Sequence, residues 1–470
     1  MTHRISKGRI EELRRLFTDK SQVISPGSAG YDQSLKRWSE LASLPAGVVV
    51  FPESADDVSK AVYFCQKHSI DLAVKGGGNS PDGGNSSDGG LVIDLSRMKG
   101  VSIHPETNTV SVQGGALWAD VHEATSKSDL VVLTSTVGTT GVGGVTLQGG
   151  YGHLIGVHGL IIDNLRSARV VVADGQVLTV SDTENADLFW AIRGAGQNFG
   201  VVVEFTFQAY KRPNSVFAGI LVFTLDKTLT VLKSLNATLD YKDGKAAAQC
   251  IFSKPPDRSE LLVTVVLYYG GPESECRERF VDLFRLEKVS ANMKMMPYEQ
   301  ANTLLDSFSP AGGRKRLIGF SFATPLRPEF VQGVLDELKL KFEAEPDLNQ
   351  SFLELEFLNM SKVCQVPTTA MAFPSRAMTQ KGSIALQYQN PDKDEAYFKW
   401  SMKVQGMFQE EFQRAGYNPK MLVSNFNYIT NPSSKTTPSA MFGANAQKLV
   451  ELKKKYDPEQ LFHKFNPISV

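Results

Sequence analysis

Gly76-Gly77-Gly78-Asn79-Ser80-Pro81-Asp82-Gly83-Gly84 follows the apolar run Leu72-Ala73-Val74 and precedes a second one, Leu91-Val92-Ile93-Asp94-Leu95. A strand that stops at three glycines and restarts after a short loop makes a tight backbone cradle. Without Cβ atoms in the way, successive main-chain N–H groups can converge on a phosphate or pyrophosphate. A plain turn uses glycine in the same way, so the stretch needs corroboration elsewhere in the chain.

A second cluster supplies it. Thr139-Thr140-Gly141-Val142-Gly143-Gly144-Val145-Thr146-Leu147-Gln148-Gly149-Gly150-Tyr151-Gly152 holds six glycines and is followed directly by His153. Further on come Gly159-Leu160-Ile161-Ile162-Asp163-Asn164-Leu165 and Ala191-Ile192-Arg193-Gly194-Ala195-Gly196-Gln197-Asn198-Phe199-Gly200-Val201-Val202. In this order the motifs resemble the FAD-linked oxidases of the vanillyl-alcohol oxidase superfamily, in the branch of berberine bridge enzyme and 6-hydroxynicotine oxidase. The resemblance covers almost the whole chain. It implies an α+β, two-domain FAD-binding fold of the PCMH/VAO type. Residues 1–210 would be the FAD-binding domain, 211–420 an antiparallel-sheet substrate domain, and 421–470 a segment that returns to complete the first.

The resemblance also implies where FAD lies. Lys75, Gly76, Gly77, Gly78, Asn79 and Ser80 would wrap the pyrophosphate. Thr139, Thr140, Gly141, Gly143, Gly144 and Gly152 would run along the flavin, with His153 the histidine nearest to it. Gly200 and Val202 would reach the adenine, and Asn425 and Asn427 would close the isoalloxazine end. The competing dinucleotide site is a Rossmann GxGxxG between strand and helix. The nearest match, Gly194-Ala195-Gly196-Gln197-Asn198-Phe199, has phenylalanine at the third glycine and runs into Val201-Val202-Val203, a strand. A Walker A loop is absent.

Composition and pattern agree with a two-domain enzyme. A chain of 470 residues exceeds one ordinary core. Fifty basic residues against fifty acidic ones leave no basic field for a polyanion, which argues against nucleic acid. The four cysteines have no CxxC spacing and read as reduced thiols, and no metal site is expected. The charged first twenty residues lack an apolar core, and no stretch is long enough to span a bilayer, so a cytoplasmic protein without membrane contact is expected. A helix is predicted from Asp56-Asp57, as its cap, through Lys67, and a hairpin at Asp174-Gly175. Beyond residue 210 the glycine loops thin out, and strand-like runs at 217–223, 261–269, 316–322 and 352–357 alternate with helical segments such as 329–343.

Three departures from the family pattern bear on chemistry. Relatives attach the flavin C8-methyl to a histidine where this chain has Asn79, and C6 to a cysteine where it has Val137. A noncovalent FAD is therefore expected. On the strand 382–388, where relatives carry a glutamate base, Ala385 and Gln387 stand instead, and no carboxylate is expected nearby. Gln387 can orient a substrate but cannot take up a proton at neutral pH. Tyr428 matches a tyrosine that acts as base in some relatives, and it reads equally well as a packing residue under the ring. The expected function is FAD-dependent oxidation (oxidase or dehydrogenase) of a small organic molecule, such as a secondary metabolite, by hydride transfer, with O2 as reoxidant. A redox-neutral cyclase or isomerase on the same fold is the second reading, and the missing carboxylate favours it.

Overall fold

Short valine and leucine runs, buried over most of their length, make the first sheet. In a computed structural model that describes residues 4–19, 22–239, 243–255, 258, 260–417 and 437–469, Val48–Val50, Leu91–Asp94 and Leu72–Lys75 lie side by side and parallel. Val23–Ile24 pairs antiparallel at the far edge. Strands buried on both faces suit such continuous apolar runs. Leu72–Lys75 and Leu91–Asp94 are neighbours although the chain between them forms no helix. The glycine stretch 76–84 thus emerges at the carboxyl end of a parallel strand, where α/β sheets bind their ligands.

The helix Ala55–His68 packs Val58, Ala61, Val62 and Cys65 beneath this sheet. Its cap is Ser54, whose hydroxyl accepts the Asp57 N–H at 3.2 Å. Asp56 and Asp57, expected as the cap, fall in the first turn, where they favour the helix dipole.

A second, antiparallel sheet of five strands has the order Val101–His104, Thr109–Gln113, Val201–Gln208, Leu165–Val171, Val177–Ser181. Its last two strands are joined at Asp174-Gly175, where Gly175 has φ +86°, as the hairpin reading requires.

The third sheet has seven antiparallel strands. Their order is Ser290–Met296, Val216–Thr224, Leu262–Tyr269, Ala246–Ser253, Phe352–Leu358, Gln380–Tyr388, Arg314–Phe322. The helices Thr228–Thr238, Pro328–Ala344 and Asp394–Arg414 cover one face, and Leu353, Leu355, Phe357, Ile384 and Leu386 pack among them. Side chains alternate along a strand. Phe352, Glu354 and Glu356, and Lys381, Ser383, Ala385 and Gln387, therefore project from the opposite face, toward the glycine loops.

After residue 436 the helices Pro438–Phe442 and Ala446–Tyr456 pack Phe442 and Leu449 into the core that also holds Val112, Leu188 and Phe205. The buried Lys453 ammonium donates to Asn198 O, Asp457 Oδ2 and Phe462 O at 2.6–2.7 Å, tying this segment to the first half of the chain. Among the described residues no helix is long and apolar enough to cross a membrane.

Candidate active site

One long cavity runs between the glycine loops and the exposed face of the seven-stranded sheet. Its floor is main chain. A Cβ on Gly77 would stand 2.6 Å from the Gly141 backbone, and one on Gly141 2.5 Å from Gly77 N, so the two loops touch through paired glycines. Asn79 Oδ1 accepts the Gly141 N–H at 3.2 Å and holds them in register. Behind the loop the buried Arg37 guanidinium donates to the Asn85 carbonyl at 3.1 and 3.2 Å, and Lys75 Nζ meets the buried Asp94 carboxylate at 2.8 Å. The Arg37 guanidinium and the Lys75–Asp94 pair thus lie behind a floor of main chain, a surface that suits a phosphate group.

The cavity fits FAD on two further counts. A Cβ on Gly144 would meet nothing within 4 Å, so the space above it is free for a ligand. Gln197 has both amide atoms buried without a hydrogen-bond partner, and Gln148 Oε1 is likewise orphaned; both residues line the cavity. Buried amides ordinarily find partners. A flavin carries donors and acceptors that would satisfy them.

The roof is built from side chains. Glu354 and Glu356 line the cavity, with Phe352, Ile251, Leu305, Phe308 and Leu317 forming an apolar slot beside them. Burial pushes both carboxyls up: Glu354 to about 7, and Glu356 further because Glu354 stands on the same face. The two titrate as a coupled pair, in which Glu354 gives up its proton first and Glu356 holds its own to higher pH. Glu356 Oε2 and the Tyr151 hydroxyl are buried without partners. Beyond Tyr151, Arg376 grips Asp163 in a buried two-bond ion pair at 2.7 and 2.8 Å.

The expectation that no carboxylate stands near the strand carrying Gln387 is thereby corrected. Glu354 pairs with Ser383 and Glu356 with Lys381 across the adjacent strand. The two carboxyls are about thirty residues away in sequence and come together only through sheet register. The signal that would have found them is the alternation in Phe352-Leu353-Glu354-Leu355-Glu356-Phe357, which puts both glutamates on one face.

The remaining sequence candidates divide. Gly76, Gly77, Gly78, Asn79, Ser80, Thr140, Gly141, Gly143, Gly144, Gly200, Val202 and Gln387 line the cavity, and so does Val137. Gln387 also donates its amide to Gln350 Oε1. Lys75 sits behind the floor on Asp94, and Thr139 is exposed. Gly152 is packed against the Thr134 carbonyl, and His153 is buried away from the lining. The His153 ring stacks on Tyr268 at 4.6 Å and its Nδ1 lies 3.1 Å from Asn302 Oδ1; burial lowers its pKa to about 4, so it is neutral. Tyr428, Asn425 and Asn427 lie outside the described residues. The four cysteines are free and none lines the cavity.

The FAD binding domain family model matches residues 46–181, and the model for berberine and berberine-like proteins matches 425–469. The FAD-linked oxidoreductase pgmH of Aspergillus terreus is 33% identical over 450 residues, covering 93% of this chain and 91% of that protein. The chain belongs to the berberine-bridge-enzyme-like FAD-linked oxidoreductases. The FAD-linked oxidoreductase srdI of Neurospora crassa is 26% identical over 97% of this chain and 93% of its own. Among solved structures, 6-hydroxy-D-nicotine oxidase of Arthrobacter nicotinovorans has TM-score 0.80 at 24% identity, covering 95% of this chain and 97% of that one. The BBE-like 1 protein of Physcomitrella patens has TM-score 0.84 at 18% identity, covering 98% and 99%. The protein is thus an FAD-dependent oxidoreductase with the VAO/PCMH-type fold.

Proposed function

We propose that this enzyme oxidises a small organic molecule, of the kind made in secondary metabolism, with noncovalently bound FAD, and that O2 restores the cofactor. The observation that carries the reading is the pair of buried carboxyls facing the glycine floor across one cavity. FAD, once bound, supplies the two-electron acceptor. Gly76 to Ser80 and Gly141 to Gly144 would hold it by main chain, with Gln148 and Gln197 meeting its polar edge. Phe308, Phe352 and Leu317 would hold the substrate body and keep water out, and Gln387 would orient it. The ionised member of the Glu354–Glu356 pair would take the substrate's proton, the role for which Tyr428 also stands as a candidate from the sequence. The ground for the redox-neutral cyclase or isomerase reading was a missing carboxylate, and Glu354 and Glu356 remove that ground.

A noncovalent cofactor is supported by chemistry at both attachment positions. The Asn79 amide is not a nucleophile, and its oxygen is already engaged by Gly141. Val137 offers no sulfur. The test of the oxidative reading is anaerobic addition of candidate alcohols, amines and phenolic metabolites. A true substrate should bleach the visible flavin absorption, and air should restore it. Turnover with the flavin oxidised throughout would favour the redox-neutral reading.

A further inference from the structure

Lys381 is buried and lies outside the motifs of the glycine loops. It sits on the strand Gln380–Tyr388, directly across from Glu356 on one side and Ser321 on the other. Cross-strand partners share a face, so its side chain lies on the side that carries Glu356 and Glu354. Its ammonium donates to Ser321 Oγ at 3.0 Å and makes no ion pair among the described residues. A buried lysine with a single neutral partner is costly unless a nearby charge compensates it.

Counting protons gives the reason for its presence. With Lys381 charged, one glutamate ionised and the other protonated, the three groups are neutral and carry two protons beyond the fully deprotonated state. Without the lysine, the neutral state of the same pocket has both glutamates protonated. A pocket of two protonated carboxyls contains no base.

We propose that Lys381 is a positioning residue that keeps one proton out of the Glu354–Glu356 pair, so that the cavity holds an ionised carboxylate ready to accept the substrate's proton. This rests on the reading above, in which that pair is the base. In the step it serves, a substrate with an X–H group (X = O or N) next to a C–H bond loses two electrons. The C–H hydrogen leaves with its electron pair as hydride to the bound flavin. The X–H proton passes to the carboxylate oxygen, and a C=X bond forms. The three groups then carry one net positive charge, which is relieved when a proton leaves to solvent.

The other groups facing the pair do not take over this role. The strand Ala246–Ser253 presents the uncharged Gln249 opposite Glu356. His153 is neutral and stacks on Tyr268, whose hydroxyl burial also keeps protonated. Tyr151 is held protonated by burial. Arg376 is committed to Asp163, and Lys315, on the strand beyond Lys381, hydrogen-bonds the Pro310 and Trp38 carbonyls. Burial lowers Lys381 itself to about 8, with Glu356 holding it up, consistent with a charged lysine at neutral pH.

The test uses the flavin-loaded enzyme. Glutamate carboxyl titration, read by carbon NMR of side-chain-labelled protein, needs no substrate. The parent should show one ionised buried carboxyl at pH 7. Lys381→Met should lose it, with its ionisation displaced upward by one pH unit or more. Lys381→Arg should restore most of it. Ser321→Ala removes only the hydrogen bond and should move the same signal upward by less, which keeps the test alive if Lys381→Met does not fold. The acid limb of the flavin-reduction profile should move with the titration. An unchanged carboxyl titration in Lys381→Met, or in Ser321→Ala where the former does not fold, overturns the proposal. The double variant Glu354→Gln, Glu356→Gln, which leaves no carboxyl in the pair, separates the two levels. If it reduces flavin at the parental rate, the reading of the pair as base fails. If it is slow while Lys381→Met behaves as the parent, only the role of Lys381 fails.

Discussion

The floor and the roof of the cavity are made of different materials. The floor is main chain: Gly77 and Gly141 touch through missing Cβ atoms, and Gly144 leaves open space above it. The roof is side chain: Glu354 and Glu356 line it, and Lys381 stands across from Glu356 on the neighbouring strand that meets theirs by register. A backbone site is written in consecutive residues and tolerates almost no substitution. A cross-strand site is scattered in sequence and can be changed one group at a time without disturbing the fold.

The largest effect should come from the floor. Gly144→Val puts its branched side chain into open space rather than into the protein, so the fold should persist while flavin is lost. Circular dichroism should match the parent and the purified protein should be colourless. Gly77→Val, which strikes the Gly141 backbone, should lose both flavin and stability. If Gly144→Val keeps full flavin, the cofactor lies elsewhere, and the contrast between floor and roof collapses.

This difference also explains what was legible. The glycine runs at 76–84 and 139–152 are consecutive in sequence, so the floor of the cavity could be located from them once their order resembled that of the FAD-linked oxidases. The strands 217–223 and 352–357 were legible as strand-like runs, and the structure extends them to Val216–Thr224 and Phe352–Leu358. The carboxyl roof is not legible from the strand Gly382 to Tyr388, where the family places a base, because Glu354 and Glu356 stand on its neighbour and meet it only through register. His153 follows a glycine motif, but Gly152 packs against the Thr134 carbonyl and the ring stacks on Tyr268 instead of reaching the cavity. Arg37 gave no sequence signal, since nothing local shows that it reaches the Asn85 carbonyl.

The next effect tests the roof. Replacing Glu354 and Glu356 together by Gln keeps the shape and loses the acid–base function, so anaerobic flavin reduction should fall by about 10²–10⁴-fold with flavin occupancy unchanged. A fall in occupancy instead would make the roof part of the cofactor site.

The pH dependence follows from the raised carboxyls. The base must be ionised, so reduction should slow as pH falls below about 7. Stability runs the other way. Folded Glu354 keeps up to about 7 a proton that an unfolded glutamate releases near 4.5, so its contribution is full below that value and is lost as pH rises through about 7. Glu354→Gln should flatten the melting temperature over this interval. An unchanged slope would mean that folded Glu354 does not keep its proton over this interval.

Gln387→Ala should be milder. Its amide is partly engaged by Gln350, so loss of a substrate hydrogen bond should weaken binding by about 0.5–1.5 kcal/mol, seen in KM rather than in the reduction rate. Tyr428→Phe should leave the acid limb of the profile in place; a lost limb would transfer the base from the roof to that tyrosine.

Acid precipitation of the freshly purified protein tests most directly that the glycine floor holds FAD without a covalent bond. The yellow colour should pass entirely to the supernatant as intact FAD, about one per chain. Flavin that stays with the pellet, or a protein that carries none when purified, would contradict it.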